Sequence, residues 1–222
     1  MKSRIGISFL FLFLFQLNVF AQKIVDKPIN FNEKRKELTL QYLKEHYGLD
    51  QKTPNIDPKM VVLHWTAIPT FEASFNAFVN PELPTSRTEI SGAGSLNVSA
   101  HFLVDRDGTI YRLMPETIMA RHVIGLNHTA IGVENVGGTK ETPLTSAQLE
   151  ANIDLVNYLS ERYNIEYLLG HYEYPQFEGH KLWLEKDEGY RTQKTDPGKE
   201  FMQKVREKTT SHNFKPVPKN DD

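Results

Sequence analysis

Two short apolar runs in this chain each end at a histidine, and they constrain its fold more than any other feature. Met60 to Leu63 precedes His64, and Tyr167 to Leu169 precedes Gly170 and His171. Short runs that are apolar at every position are typical of strands buried on both faces. Functional side chains often follow such strands, because the backbone is fixed there while the side chain can face a cleft. We therefore expect a buried sheet with both histidines at strand ends.

Helical and strand-like segments alternate along the rest of the chain. Asn32 can cap a helix that ends before Gly48, and Thr145 with Gln148 forms a capping-box pattern. Strands are predicted at 60–63, 100–104, 109–113, 130–136 and 167–169, and helices at 32–47, 71–78, 145–163 and 199–208. The turn at 105–108 joins two of the strands into a hairpin. The pattern predicts an α/β fold: a single domain with a central mixed β-sheet flanked by α-helices, and the functional site in a cleft at the strand ends.

The composition limits the kinds of site that the chain can build. It has 222 residues, 39% of them hydrophobic and 24% charged, with a formal net charge of -2. This length favours one domain, and the balanced charge does not indicate a basic surface that would bind nucleic acid. The chain has no cysteine, which excludes disulfides, thiolate metal ligands and a cysteine nucleophile. Any metal must therefore be held by His, Asp or Glu.

The first 21 residues have the organisation of a signal peptide. Basic residues at positions 2 and 4 precede an apolar run from 5 to 15, and Val19 and Ala21 fit a cleavage site before residue 22. The alternative is a transmembrane anchor, but the run is short and Gln16 and Asn18 interrupt it. We expect secretion across the inner membrane, to the periplasm or the cell exterior, with no integral membrane span after processing.

A third candidate ligand is Asp196, in the turn Lys194-Thr195-Asp196-Pro197-Gly198. Two histidines and a carboxylate form a zinc set that leaves a fourth position open for water. Each residue also has an ordinary alternative. His64 and His171 could be hydrogen-bonded histidines at the rim of a core, and an aspartate before Pro-Gly is often a turn or cap residue. The three together favour a metal site.

Five motifs, in order, resemble the type-2 N-acetylmuramoyl-L-alanine amidases, which are relatives of the peptidoglycan recognition proteins. The motifs are Val61-Val62-Leu63-His64-Trp65-Thr66, the hairpin from Ser99 to Tyr111, Asn127 with Ile131-Gly132-Val133-Glu134, Gly170-His171, and Lys194 to Gly198. The match covers about Met60 to Phe201. Five motifs in the family's order are far more specific than any one of them.

The resemblance implies a hydrolase of the amide bond between N-acetylmuramic acid and L-alanine, in peptidoglycan or muropeptides. It implies that His64, His171 and Asp196 bind Zn²⁺. Glu134 matches the acid that activates the attacking water, and Lys194 matches the cation near the developing oxyanion. Glu134 could instead be a strand carboxylate paired with a surface cation, and Lys194 a solvated lysine.

Substrate contacts are predicted for His122, Asn127, Trp183 and Tyr190. His122 lies in a segment that resembles one lining the family's substrate groove. Trp183 and Tyr190 lie between the last two ligands, in a stretch from Tyr172 to Thr195 that is longer than in many members of the family. Such a long segment is either an anchored surface loop or a wall of the cleft. His101 is expected to pack structurally beside the site.

The main alternative function is a non-catalytic peptidoglycan-binding module of the same fold, since some relatives have lost a zinc ligand. All the matched positions are intact here, which favours catalysis. No His-Glu-x-x-His stretch or nucleophile elbow supports another hydrolase. The expected organisation is a signal peptide (1–21), an N-terminal helical extension (22–59), a zinc amidase domain (60–208) and a disordered tail (209–222), in a monomer.

Overall fold

The structure is a computed structural model that describes residues 24–87 and 92–219. The predicted signal peptide (residues 1–21) lies outside the described residues, as do positions 220–222. Within the described ranges, no helix combines the length and the apolar character that spanning a bilayer requires.

The described strands form one mixed sheet of six strands, which confirms the predicted α/β fold. Their order across the sheet is β1-β4-β3-β5-β2-β6. Neighbouring strands run parallel, except in the β3–β4 hairpin. In chain order the strands are β1 (Ile24–Asp26), β2 (Met60–Leu63), β3 (Phe102–Val104), β4 (Ile110–Arg112), β5 (Ala130–Asn135) and β6 (Tyr167–Gly170).

Most of the helices begin where local capping signals place them. The described helices are α1 (Glu33–Tyr47), α2 (Phe71–Val79), α3 (Ser146–Arg162) and α4 (Lys199–Lys208), with 3₁₀ helices at His171–Phe177 and Thr210–His212. The side chains of Asn32, Thr70 and Thr145 each accept a hydrogen bond from the backbone N–H three residues on. These bonds satisfy N–H groups that a helix leaves unpaired at its start. The predicted starts of α1, α2 and α3 are therefore confirmed.

Strand β2 shows how both faces of the sheet are covered. Val61 and Leu63 belong to a core shared with α3 and α4, while Met60 and Val62 belong to a core shared with α1. Successive side chains in a strand point to opposite faces, so the apolar run serves two cores at once. All four side chains are fully buried, and the sheet lies between two helical layers.

The N-terminal extension is more than a helix. Ile24–Asp26 pairs in parallel with β4 at the edge of the sheet, and the backbone N–H of Lys27 donates to the carbonyl of Arg112 (2.9 Å). Three residues are too few to show strand periodicity, so the sequence pattern gave no sign of β1. Because of this pairing, the extension and the family-like region share one sheet.

The predicted disordered tail is wrong for the part of it that the structure describes, residues 209–219. Thr209 is buried, and its hydroxyl donates to the carbonyl of Val205 (3.0 Å). The backbone N–H of Lys215 donates to the carbonyl of Glu166 (2.8 Å), and Phe214 packs against the core. The polar composition suggested disorder, whereas these long-range contacts hold the segment in place.

Candidate metal centre

The carboxyl ends of β2 and β6 bring His64 and His171 together. The two strands are parallel neighbours, and Leu63 is paired with Gly170. The next residue on each strand therefore leaves the sheet at the same edge, and the two imidazole ring centroids lie 4.3 Å apart. The backbone N–H of His64 is also fixed, because it donates to the carbonyl of Val133 (2.8 Å).

A buried carboxylate holds the turn that carries His171. One oxygen of Glu173 accepts a hydrogen bond from the backbone N–H of Gly170 (2.8 Å). Arg206 of α4 donates to both oxygens of Glu173 and to the carbonyl of Leu168. This network ties the end of β6 to α4 and fixes the backbone beside His171.

Asp196 reaches the two histidines from the loop before α4. The backbone N–H of Tyr172 donates to the carbonyl of Asp196 (3.1 Å), which holds this loop beside His171. Oδ2 of Asp196 lies 2.9 Å from Nδ1 of His171 and 3.3 Å from Nδ1 of His64. All three residues are buried, and one possible ligand atom from each lies within 4.8 Å of the other two. The structure thus brings together the three predicted ligands.

The protonation states of His171 and Asp196 suit a divalent metal. Burial, with a contribution from His64, lowers the pKa of His171 to about 4, so its ring is neutral near pH 7. Burial raises the pKa of Asp196, but His171 and His64 lower it more, and the result lies far below the ordinary range. Metal ligands must be unprotonated at the binding atom. The neutral imidazole of His171 and the ionised carboxylate of Asp196 therefore fit zinc.

Glu134 lies on β5 and lines the same cleft as His171 and Asp196. Burial, more than any other influence, raises its pKa to about 7, although His64 and Lys194 act in the opposite direction. Its Oε2 atom is buried without a hydrogen-bond partner in the protein. A buried carboxylate oxygen without a partner is costly unless a proton, water or ligand satisfies it. This buried oxygen without a partner contradicts the alternative in which Glu134 forms an ion pair at the surface.

Lys194 is placed two residues before Asp196, and its side chain also lines the cleft. Its positive charge lowers the pKa of Glu134 and that of His171, which places the ammonium within electrostatic reach of both. The cleft is therefore lined by two of the candidate metal ligands, an acid with a raised pKa and a cation. Acids with perturbed pKa values beside a cation in a concave site are typical of catalytic centres.

His122 lines the cleft as predicted, but its ring nitrogens are already engaged. The residue is 9% exposed. Its Nδ1 lies 3.1 Å from Nε2 of His64, and its Nε2 lies 3.2 Å from the carbonyl oxygen of Ala130. The imidazole has no third polar atom to offer a substrate. His122 therefore contacts a candidate ligand, and its predicted contact with substrate stays a prediction.

Asn127 and Tyr190 also line the cleft, and both form hydrogen bonds to neighbouring residues. Oδ1 of Asn127 accepts hydrogen bonds from the backbone N–H groups of His122 and Val123 (2.8 Å each). Its Nδ2 donates to the hydroxyl of Tyr47 in α1 (2.9 Å). The hydroxyl of Tyr190 accepts from Arg121 (3.1 Å). Asn127 thus shapes the loop, while the Tyr190 ring remains a candidate contact surface.

Trp183 is not among the described residues that line the cleft. Its ring lies against Gly125, where a Cβ atom would come within 2.6 Å of it. It stacks on Tyr174 at 6.1 Å, and the Arg191 guanidinium lies over it at 4.7 Å. Trp183 therefore anchors the long segment from Tyr172 to Thr195, and its predicted substrate contact stays a prediction.

The residues lining the cleft that sequence reasoning missed include Trp65, Arg87 and Thr192. Trp65 follows His64 directly in the first motif, so the motif itself could have indicated it. Thr192 has a buried hydroxyl without a hydrogen-bond partner, and Arg87 comes from the long loop after α2. The contributions of Arg87 and Thr192 depend on tertiary placement, for which a single sequence carries no signal.

A model of the N-acetylmuramoyl-L-alanine amidase family matches residues 54–199 of this chain. The chain belongs to this family. The match spans every described element from β2 to the loop that carries Asp196. It confirms the resemblance that the five ordered motifs indicated.

Known proteins similar to the amidase domain include phage and animal proteins. The endolysin of Klebsiella phage KP32 is 34% identical over 105 residues, which cover 43% of this chain and 69% of the phage protein. Peptidoglycan recognition protein 3 of Mus musculus is 28% identical over 123 residues, 53% of this chain and 34% of that protein.

A solved structure of similar fold is the N-acetylmuramoyl-L-alanine amidase LysC from Clostridium intestinale URNW. It is 25% identical, with a TM-score of 0.52, and the alignment covers 87% of this chain and 99% of LysC. The shared fold extends beyond the residues that the family model matches.

Proposed function

We propose that this amidase uses zinc to hydrolyse the bond between N-acetylmuramic acid and L-alanine, in peptidoglycan or in soluble muropeptides. The supporting observation is the buried group of His64, His171 and Asp196, of which His171 and Asp196 line one cleft with Glu134 and Lys194. An amide is a poor electrophile with a poor leaving group. Its hydrolysis needs an activated carbonyl, a deprotonated nucleophile and a proton for the departing amine, and the cleft has a group for each.

His64, His171 and Asp196 would hold the zinc. Bound there, zinc would polarise the scissile carbonyl and bring the pKa of water down to about 7. The three side chains would keep the metal at the end of the parallel strands, at the floor of the cleft. Their burial limits competition from bulk water for the same positions.

Glu134 would take the proton of the attacking water and later deliver it to the leaving amine. A general base and acid works best when its pKa lies near the working pH, and burial raises the pKa of Glu134 to about 7 in the metal-free protein. Its unpartnered Oε2 leaves a lone pair available for that proton. Lys194 would stabilise the negative charge that develops on the carbonyl oxygen in the transition state.

The test is digestion of a defined muropeptide by the protein lacking residues 1–21. With zinc present, mass spectrometry should show the stem peptide released from muramic acid. The Glu134→Gln variant, loaded with the same metal, should leave the muropeptide intact. An intact muropeptide after incubation with zinc-loaded wild-type protein would instead support the binding-module alternative.

We further propose that the protein is secreted by its first 21 residues and acts as a monomer in the periplasm or outside the cell. The basic, apolar and small-residue regions of that segment support export. Fractionation of cells that produce the full chain tests this, since protein found only in the cytoplasm would contradict it. Sedimentation of the secreted form tests the monomer.

A further inference from the structure

His122 is a buried side chain that the proposed reaction does not use. Its ring is nearly perpendicular to that of His64, with centroids 5.1 Å apart. Nδ1 of His122 lies 3.1 Å from Nε2 of His64, and Nε2 of His122 lies 3.2 Å from the carbonyl oxygen of Ala130. A continuous chain of contacts therefore runs from the backbone of β5 through two imidazoles.

The carbonyl group at one end fixes the direction of the hydrogen bonds. A carbonyl oxygen only accepts, so Nε2 of His122 must carry the hydrogen, and a neutral His122 then has a bare Nδ1. That nitrogen also only accepts, so His64 must donate from Nε2. Nδ1 of His64 is left with its lone pair, and this is the atom that faces Oδ2 of Asp196 at 3.3 Å.

We propose that His122 is a positioning residue that sets the tautomer of His64, so that Nδ1 of His64 is ready to bind the metal. The inference rests on the proposed function only in taking His64 as a ligand. A metal-binding histidine commonly donates its other N–H to a fixed acceptor, which orients the ring and raises its basicity. Here a second histidine supplies the acceptor, and a backbone carbonyl fixes its own tautomer.

The fold holds the His122 ring on two sides. Asn127 accepts a hydrogen bond from the backbone N–H of His122 (2.8 Å). Gly132 of β5 lies under the ring, and a Cβ atom there would come within 2.6 Å of Cγ of His122. A side chain at position 132 would therefore displace the ring. Glycine at this strand position is explained by the close approach of His122.

Four variants test the proposal in the protein lacking residues 1–21. His122→Leu removes the acceptor, while His122→Asn can present Oδ1 close to where Nδ1 lies. Gly132→Ala displaces the ring and leaves His122 itself unchanged. His128→Asn is the matched control, because His128 lies in the same loop and its ring packs on Tyr47 at 5.3 Å. Zinc affinity is measured by chelator competition, and ¹⁵N NMR of the zinc-loaded protein reports which nitrogen of His64 carries hydrogen.

We expect zinc to bind the wild-type protein through Nδ1 of His64, with hydrogen on Nε2. His122→Leu and Gly132→Ala should weaken zinc binding by about 10- to 100-fold, the usual effect of losing such a partner. His122→Asn should recover much of the affinity, and His128→Asn should bind as the wild type does. If His122→Leu fails to fold, the other two site variants decide.

Two results would overturn the proposal. One is zinc bound through Nε2 of His64 in the wild-type protein. The other is affinity in the folded site variants that stays within about twofold of wild type, a change too small for a lost ligand partner. Both measurements are made without substrate. Failure to cleave muropeptide would therefore count against the proposed function and leave this inference standing.

Discussion

At the scale of single residues, Asp196 and Glu134 are two acids beside the same pair of histidines, with opposite protonation preferences. Asp196 touches both imidazoles, and their influence keeps its pKa far below the ordinary range. Glu134 has a buried oxygen without a partner, and burial raises its pKa to about 7. Acids whose environments push their pKa values apart usually have different tasks in a reaction. The two residues should therefore fail in different ways when they are replaced.

Replacing each acid should separate metal binding from turnover. Asp196→Ala removes a ligand atom, so we expect the protein to lose most of its zinc during dialysis. Glu134→Gln keeps the metal site, and its kcat should fall by about 10²- to 10⁴-fold, the usual worth of a general acid or base. Elemental analysis and muropeptide turnover measure the two effects. Normal turnover by Glu134→Gln would exclude Glu134 as the base.

At the scale of elements, Arg35 joins helix α1 to the end of helix α2. Its guanidinium is buried, and it donates to the carbonyls of Asn30 (2.8 Å), Phe78 (2.7 Å) and Asn80 (2.6 Å). Burial lowers the pKa of Arg35 to about 10, so the group is still charged at neutral pH. A positive charge suits the carbonyl end of a helix.

Removing that cation should loosen the joint between the two helices. Arg35→Met leaves buried carbonyls without donors, and we expect it to lower the free energy of unfolding by about 3 kcal/mol. Lys36→Met is the control on the same helix, since Lys36 forms only a surface pair with Glu33. It should change stability by less than about 0.5 kcal/mol. Urea denaturation compares the two, and equal effects would refute the role of Arg35.

The elements that the sequence predicted are those whose signals are local. Asn32 and Thr145 cap their helices through atoms three residues away, and the run from Met60 to Leu63 is apolar at every position. Strand β1 and the ordered segment after Thr209 depend on partners far along the chain, such as Arg112 and Glu166. The short sequences of these two segments do not indicate which distant residues they contact.

The same distinction holds in the candidate site. The proximity of His64 and His171 could be predicted from the sequence, because both follow predicted strands and parallel strands end at one edge of a sheet. The turn motif added Asp196 to the predicted ligands. The roles of His122 and Trp183 could not be predicted. They depend on which face of a loop packs against Ala130 or Gly125, and that is decided by the tertiary fold.

At the scale of the whole molecule, the amidase domain shares a core with the helix that precedes it. The family match begins at residue 54, yet Leu43 and Tyr47 of α1 pack in one core with Met60 and Leu169. The Tyr47 hydroxyl also accepts from Asn127 in the cleft wall. Without α1, one face of the sheet would be exposed to water.

Truncation tests this dependence. A protein that starts at residue 54 should lack cooperative unfolding and near-ultraviolet circular dichroism, because its sheet has lost one apolar cover. The protein that starts at residue 22 is the control and should unfold in a single transition. A cooperative transition in the shorter protein would show that the matched region folds by itself.

The buried histidines set how the metal-free molecule responds to acid. Burial lowers the pKa values of His101, His128 and His171 to about 4, and that of His122 well below the ordinary value. In the unfolded chain these groups titrate near 6.5, so unfolding takes up protons between about pH 6.5 and 4. Their contribution to stability is present above pH 6.5 and is lost as the pH falls through this window. Glu134 has the opposite effect on stability, because its pKa is raised to about 7 in the folded protein. This one group therefore favours the folded state as the pH falls.

Because the histidines with lowered pKa values outnumber the acids with raised ones, Glu134 and Asp154, the free energy of unfolding should fall steadily from pH 6.5 to 4 in the presence of a chelator. His128→Gln offers a direct check, since Nδ1 of His128 is buried without a hydrogen-bond partner. This variant should lose less stability than the wild type over the same range, because one fewer proton is taken up on unfolding. Denaturant titrations at several pH values measure both slopes. A wild-type stability that stays constant across the window would mean that these histidines are already protonated in the folded protein.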